Sequence, residues 1–244
     1  MTSLNPIALA AAAALMAVLP AAPVAAQSMI VRSSGPAAPQ YPVGRKLAAD
    51  STITLGNGDL LVLLDAQGTR TIRGPGTFPA SSAASTRASA NSSVATLLTA
   101  QRRSRARTGA VRNPGVGGTP ARSPNLWYVD VSRSQTVCTP DLADIILWRP
   151  DIAAPAIFHI VANGSKSEAA VDMAEGQSTA AWPVALPPLD GASFTIARSG
   201  ADPLAIKLVK IDRPPADAEA VAAMLITHGC TAQLDVMLAA VSAN

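Results

Sequence analysis

The sequence predicts a mainly β fold in parts: a small N-terminal β-meander or half-barrel, a basic helix and linker, and a C-terminal β-sandwich with two short terminal helices. Three observations carry that expectation. Short apolar runs alternate with polar residues and are punctuated by Gly, Pro, Asn and Asp at turn spacing, as in Ile53-Thr54-Leu55 ahead of Asn57-Gly58. Residues 66–129 hold nine Arg and no Lys, Asp or Glu, whereas residues 130–244 hold seven basic and thirteen acidic groups, so the charge changes sign along the chain. Helical spacing of apolar residues is confined to the stretch after Ser92 and to the region beyond Pro214-Pro215.

The N-terminus, residues 1–26, reads as a signal peptide. Met1 to Ala26 carries no charged side chain, Ile7 to Leu19 is rich in Ala and Leu, and Val24 and Ala26 supply the small residues before a cut at Gln27. Pro20 interrupts the apolar run, which argues against a membrane-spanning helix, and no Cys stands directly after the cut to carry a lipid. An uncleaved N-terminal anchor is the alternative. The expected product is periplasmic or secreted, with no membrane span after signal cleavage.

Residues 27–78 form the first β-module. Met29 to Arg32 starts it as a strand, and Gly35-Pro36 and Tyr41-Pro42-Val43-Gly44 mark turns. Ile53 and Leu55 alternate with Thr52 and Thr54, Asn57-Gly58 supplies a tight reversal, and Leu60 to Leu64 is a buried strand. A turn at Gln67-Gly68 leads into Thr69 to Ile72. Residues 79–123 follow as basic helix and linker: Ser92 or Ser93 caps a helix with Val94, Leu97, Leu98 and Gln101 on one face and Arg102, Arg103, Arg105 and Arg107 at its C-terminal end. Gly and Pro then make Gly109 to Ser123 a linker.

Residues 124–244 read as successive short strands: Leu126–Val131, Thr136–Cys138, Ile145–Trp148, Ile157–Ala162, Glu168–Met173, Thr179–Trp182, Phe194–Ala197 and Ala205–Ile211. After Pro214-Pro215, Asp217 caps a helix that Gly229 ends, and Thr231 caps a second one. Cys138 and Cys230 are the only cysteines, an even number in a chain expected to reach an oxidising compartment, so the natural expectation is one disulfide between them. With only His159 and His228 beside them, they make a poor metal site, and no motif implies a cofactor.

At the residues of the first module a resemblance emerges. Val43-Gly44, Ile53-Thr54-Leu55-Gly56, Leu61-Val62-Leu63-Leu64-Asp65, Gly68-Thr69-Arg70 and Gly74-Pro75-Gly76-Thr77 together resemble the FecR-type domain of bacterial envelope proteins. The resemblance covers about fifty residues and implies a periplasmic β-rich module used in signalling or surface assembly. The remainder, through Pro124-Asn125-Leu126-Trp127-Tyr128-Val129-Asp130 and Gly229-Cys230-Thr231-Ala232-Gln233-Leu234, resembles uncharacterised alphaproteobacterial secreted proteins and implies no activity.

Enzyme templates do not fit. Gly56-Asn57-Gly58 lacks the third glycine of a dinucleotide loop, there is no Gly-x-Ser-x-Gly elbow, and His159 sits in a strand opposite the apolar face of Phe158. Asp141 and Asp144 read as solvated loop charges. Among the tryptophans, Trp127 and Trp148 read as core, while Trp182 before Pro183 is a candidate ligand contact. The Arg102, Arg103, Arg105, Arg107 cluster has three readings: an anionic envelope partner, docking on the acidic C-terminal part or plain solvation, and nucleic acid. The last is disfavoured because no aromatic interleaves the arginines to stack on bases. The sequence therefore points to a non-enzymatic interaction or envelope-signalling module whose partner is an envelope protein or an anionic envelope polymer. The alternative is an envelope hydrolase or glycan-modifying enzyme with a site assembled from scattered residues, which a deep pocket with convergent carboxylates would reveal.

Overall fold

The computed structural model describes residues 27–81, 90–104 and 123–242, with side chains of the helix that opens at Ala90 described as far as Leu98. The signal segment 1–26, Arg105, Arg107 and the Gly109–Pro120 part of the linker lie outside the described residues.

The fold is mainly β. Strands β1 (Ser28–Ser34), β2 (Lys46–Leu47), β4 (Leu60–Asp65) and β5 (Gly68–Arg73) form an antiparallel sheet in the order β2-β1-β4-β5, while β3 (Thr52–Leu55) pairs with β6 (Gly76–Pro79) in a second, two-stranded sheet. The Asn57-Gly58 reversal thus joins β3 to β4 without pairing them. Its geometry is set by Asp59, which is buried: Oδ2 accepts from Gly56 N at 2.7 Å and Oδ1 accepts from Ala37 N at 2.8 Å. Two backbone donors on one carboxylate hold the loop after β1 against the corner before β4, which offsets the cost of burying a charge. Ile30, Leu47, Ile53, Leu55, Leu61, Leu63 and Ile72 fill the space between the two sheets.

Gly35 lies in this corner at φ +99°, and a Cβ there would stand 2.6 Å from the Gly58 carbonyl oxygen. Gly35→Ala is accordingly expected to destabilise the protein by about 2 kcal/mol or more, read as a lower urea midpoint, because both the left-handed backbone and the close approach oppose a side chain.

The C-terminal sandwich packs two sheets. Strands β8 (Gln135–Thr139), β10 (Ala156–Ala162), β11 (Glu168–Met173), β13 (Ser193–Ala197) and β14 (Leu204–Lys210) form one in the order β11-β10-β13-β14-β8; β7 (Val129–Asp130), β9 (Ile146–Trp148) and β12 (Thr179–Ala181) form the other in the order β12-β9-β7. Phe158, Ile160, Phe194, Ile196, Ile206 and Leu208 point inward from the larger sheet and meet Val129, Leu147 and Trp182. Two pairings are parallel, β8 with β14 and β7 with β9.

Leu126–Val131 was expected as one strand, but only Val129–Asp130 is laddered. Asn125 Oδ1 accepts from Trp127 N at 2.7 Å and Ser123 Oγ donates to Asn125 O at 2.7 Å, a local turn that competes with sheet pairing. Leu126 and Trp127 are buried by side-chain packing instead.

Among the described residues the α-helices are α1 (Ala90–Ser104), α2 (Ala218–Thr227) and α3 (Thr231–Ser242). α1 begins two residues ahead of the expected cap, its first amide donating to Ala66 O, and Ser93 is a buried residue inside it. The Asp217 carboxylate accepts from Ala220 N at 2.8 Å as an N-cap, and Gly229 at φ +70° ends α2 as its pattern predicts.

These helices form a shared core between the two β-parts. Ala90 and Val94 of α1, Val221, Ala222 and Leu225 of α2, and Leu234, Met237, Leu238 and Val241 of α3 pack with Met29, Val31 and Leu64 of the first sheet and with Cys138 and Ile211 of the sandwich. Burying a side chain such as Leu225, which has no exposed surface, contributes roughly 1.5–3 kcal/mol. Much of the stabilising burial is therefore common to both β-parts.

Candidate functional site

The basic segment begins in the last turn of α1. Residues 90–98 are anchored: Ala90 and Val94 are buried, Leu97 and Leu98 pack against the shared core, and Asn91 Oδ1 accepts from Ala218 N at 2.9 Å. Arg102 and Arg103 then lie in the last turn of α1, the end at which the helix dipole favours cations. Arg105 and Arg107 continue the cluster beyond the described residues.

The acidic side chains of the neighbouring helices have partners of their own. Glu219 of α2 pairs with Lys46 Nζ at 2.7 Å, and Asp235 of α3 pairs with Arg32. Glu219 raises the pKa of Lys46, first through the hydrogen bond and then through its charge. Asp217 is spent on the α2 N-terminus. The attraction between the acidic C-terminal part and the rest of the chain is thus met in these helices by Arg32 and Lys46 of the first module. The charge totals that make the basic segment complementary to the C-terminal part do not show that pairing.

Cys138 and Cys230 form a disulfide with Cα atoms 5.9 Å apart, joining β8 to the α2–α3 junction inside the shared core. Three residues on, Gln233 grips the same point of β8. Its Oε1 accepts from Cys138 N at 2.6 Å, and its Nε2 donates to Cys138 O and to Leu126 O, each at 2.8 Å. The amide takes the place of a missing neighbouring strand at the edge of the larger sheet.

Trp182 is a core residue. Its ring meets Phe194 edge-on at a centroid distance of 4.8 Å, and Nε1 donates to Leu186 O at 2.6 Å. Pro183 starts a turn closed by Leu186 N donating to Pro183 O, which brings the Leu186 carbonyl back to the buried indole. Trp127 and Trp148 are buried as expected.

Sequence reasoning passed over Arg149, a buried cation. It donates from Nε to Gln177 O, from Nη1 to Ala154 O and from Nη2 to Ala174 O at 2.6–2.8 Å, with Met173 O 3.4 Å from Nη2. Burial lowers its pKa, which nearby Asp151 opposes and Arg198 reinforces. This fork of donors ties the loop between β9 and β10 to the turn after β11, an organising role. Neither it nor Gln233 leaves a sequence signal beyond a polar residue within an apolar run.

The remaining titratable candidates stay apart. His159 Nδ1 lies 3.0 Å from Glu168 Oε1 on the exposed face of β10 and β11, His228 closes α2, and the Asp141 carboxylate caps a short 3-10 turn by accepting from Ala143 N. Among the described residues no three His, Cys, Asp or Glu side chains gather closely enough to hold a metal ion, and no helix is long and apolar enough to cross a membrane. Comparison with protein-family models, curated proteins and solved structures finds no match to the chain.

Proposed function

We propose that the protein is a non-enzymatic binding module of the bacterial envelope, exported by its N-terminal segment, which uses Arg102, Arg103, Arg105 and Arg107 to engage an anionic envelope polymer. The observation that carries this reading is the pairing of Glu219 with Lys46 and of Asp235 with Arg32. With those carboxylates engaged, docking the basic segment on α2 or α3 has to break existing ion pairs, whereas an external polyanion supplies new ones. Val94 and Asn91 anchor the first turns of α1, the helix whose last turn carries Arg102 and Arg103. The resemblance of residues 27–78 to FecR-type domains supports the same compartment and a role in surface assembly or signalling.

The test is binding to purified lipopolysaccharide, a phosphate-bearing envelope polymer, across a salt series. The wild type is expected to bind at low salt and to lose affinity as salt rises, because exposed charges more than about 10 Å apart are screened at 0.1 M. Replacing all four arginines with Gln keeps helix propensity, removes four charges and is expected to weaken low-salt binding by about tenfold or more. Equal binding by both proteins at every salt concentration overturns the proposal.

A further inference from the structure

The sandwich carries a cavity whose lining includes no residue of the basic segment. It measures about 230 Å³ and opens between the residues after β7 and the β13–β14 hairpin. Its apolar wall is Val131, Phe158, Ile196 and Leu204, of which the first three are buried. Its polar rim is Ser132, Arg198 and Asp202. Arg198 and Asp202 stand on the hairpin that Gly200, at φ +74°, turns tightly, with Ala201 N donating to Arg198 O.

The rim has unused hydrogen-bonding capacity of both signs. Neither the Arg198 guanidinium nor the Asp202 carboxylate makes a hydrogen bond or ion pair among the described residues, although both border the same cavity. Ser132 spends its hydroxyl hydrogen on Asp130 Oδ1 at 2.5 Å, so towards the cavity it offers lone pairs. One cationic donor, one carboxylate acceptor and one hydroxyl acceptor thus surround an apolar pocket. That set complements a molecule carrying a carboxylate, an ammonium and an apolar side chain.

Size narrows the choice. An apolar cavity of about 150 Å³ accommodates benzene with its six heavy atoms, so by proportion 230 Å³ holds about nine. A free aliphatic amino acid of leucine size meets both the count and the charges. We infer that this cavity is a binding site for a small zwitterion with an apolar side chain, a free amino acid such as leucine. Arg198 receives the carboxylate, Asp202 and Ser132 receive the ammonium, and Phe158, Ile196 and Leu204 contact the side chain.

The experiment is an NMR titration of the full folded protein, following the backbone amides of Ser132, Ile196, Ala201 and Leu204. The probes are leucine, N-acetyl-leucine, which keeps only the carboxylate, and leucinamide, which keeps only the ammonium. These last two also stand for a peptide's C-terminal and N-terminal ends. Leucine is expected to shift these amides saturably in the millimolar range, with each blocked compound about three- to tenfold weaker, the effect of losing one partly exposed charged contact. Arg198→Gln is expected to weaken leucine by a similar factor and to leave leucinamide unchanged; Asp202→Asn should weaken leucine and leave N-acetyl-leucine unchanged. Both positions are exposed hairpin residues, and unaltered spectra outside the hairpin establish that the variants fold. Absence of saturable shifts with leucine, binding of either blocked compound as tight as leucine, or leucine binding indifferent to both substitutions overturns the assignment.

Discussion

Removing the Cys138–Cys230 bond by a double Ala substitution is expected to cost about 4–5 kcal/mol. The bond closes a loop across a sequence separation of 92 residues, and the chain-entropy relation for a loop of that length gives this magnitude. Both cysteines have no exposed surface, so the truncated side chains also leave a packing defect in the shared core. Set against a typical total of 5–15 kcal/mol, such a loss leaves a marginal protein. Urea unfolding of the oxidised wild type and the double variant measures it, and a difference under about 1 kcal/mol contradicts the role given to the bond.

Gln233→Met is expected to cost about 3 kcal/mol or more, although it nearly preserves volume. The substitution leaves the Cys138 N–H, the Cys138 carbonyl and the Leu126 carbonyl without their partner in a buried setting, and each unsatisfied group costs roughly 1–3 kcal/mol. Met237→Leu, on the same helix and equally apolar, is the control for packing alone, with an expected loss below about 1.5 kcal/mol. If the two substitutions cost the same, the amide is not acting as a substitute strand. Because Cys230 and Gln233 hold the same residue of β8, the covalent and hydrogen-bonded links should also be coupled: in the disulfide-free background, Gln233→Met should cost a different amount than in the wild type.

Much of the strand content was legible in the sequence because burial follows period two. In β10, Phe158 and Ile160 are buried while Ile157 and His159 are exposed, the pattern that alternation predicts. The caps of α2 were equally legible, since Asp217 and Gly229 act through local backbone geometry. Pairing was harder to read. That β3 joins β6 instead of β4 accompanies a corner where the buried Asp59 carboxylate accepts from Gly56 N and Ala37 N, contacts that no local pattern encodes. The parallel pairing of β14 with β8 links segments about seventy residues apart, which no local pattern encodes. The Leu126-Trp127 run shows the same limit, because apolar content signals burial without saying whether a ladder or a helix face provides it. For the candidate sites, the sequence singled out the Arg cluster by composition and Trp182 by its neighbouring proline. The polar rim of the sandwich cavity leaves no sequence signal, because Ser132 and Arg198 become neighbours only through tertiary packing.

The core shared by α1, α2 and α3 is expected to make one cooperative body of the two β-parts. Leu225→Ala tests it most directly, because Leu225 is buried in the shared core and belongs to neither sheet. The substitution is expected to cost about 2–5 kcal/mol. Native-state hydrogen exchange then reports where that loss falls, using slowly exchanging amides of β4 in the first sheet and of β14 in the sandwich. The shared core predicts that protection drops by the same free energy in both sheets. Loss of protection in one sheet with the other unchanged contradicts it, and shows two bodies that fold independently.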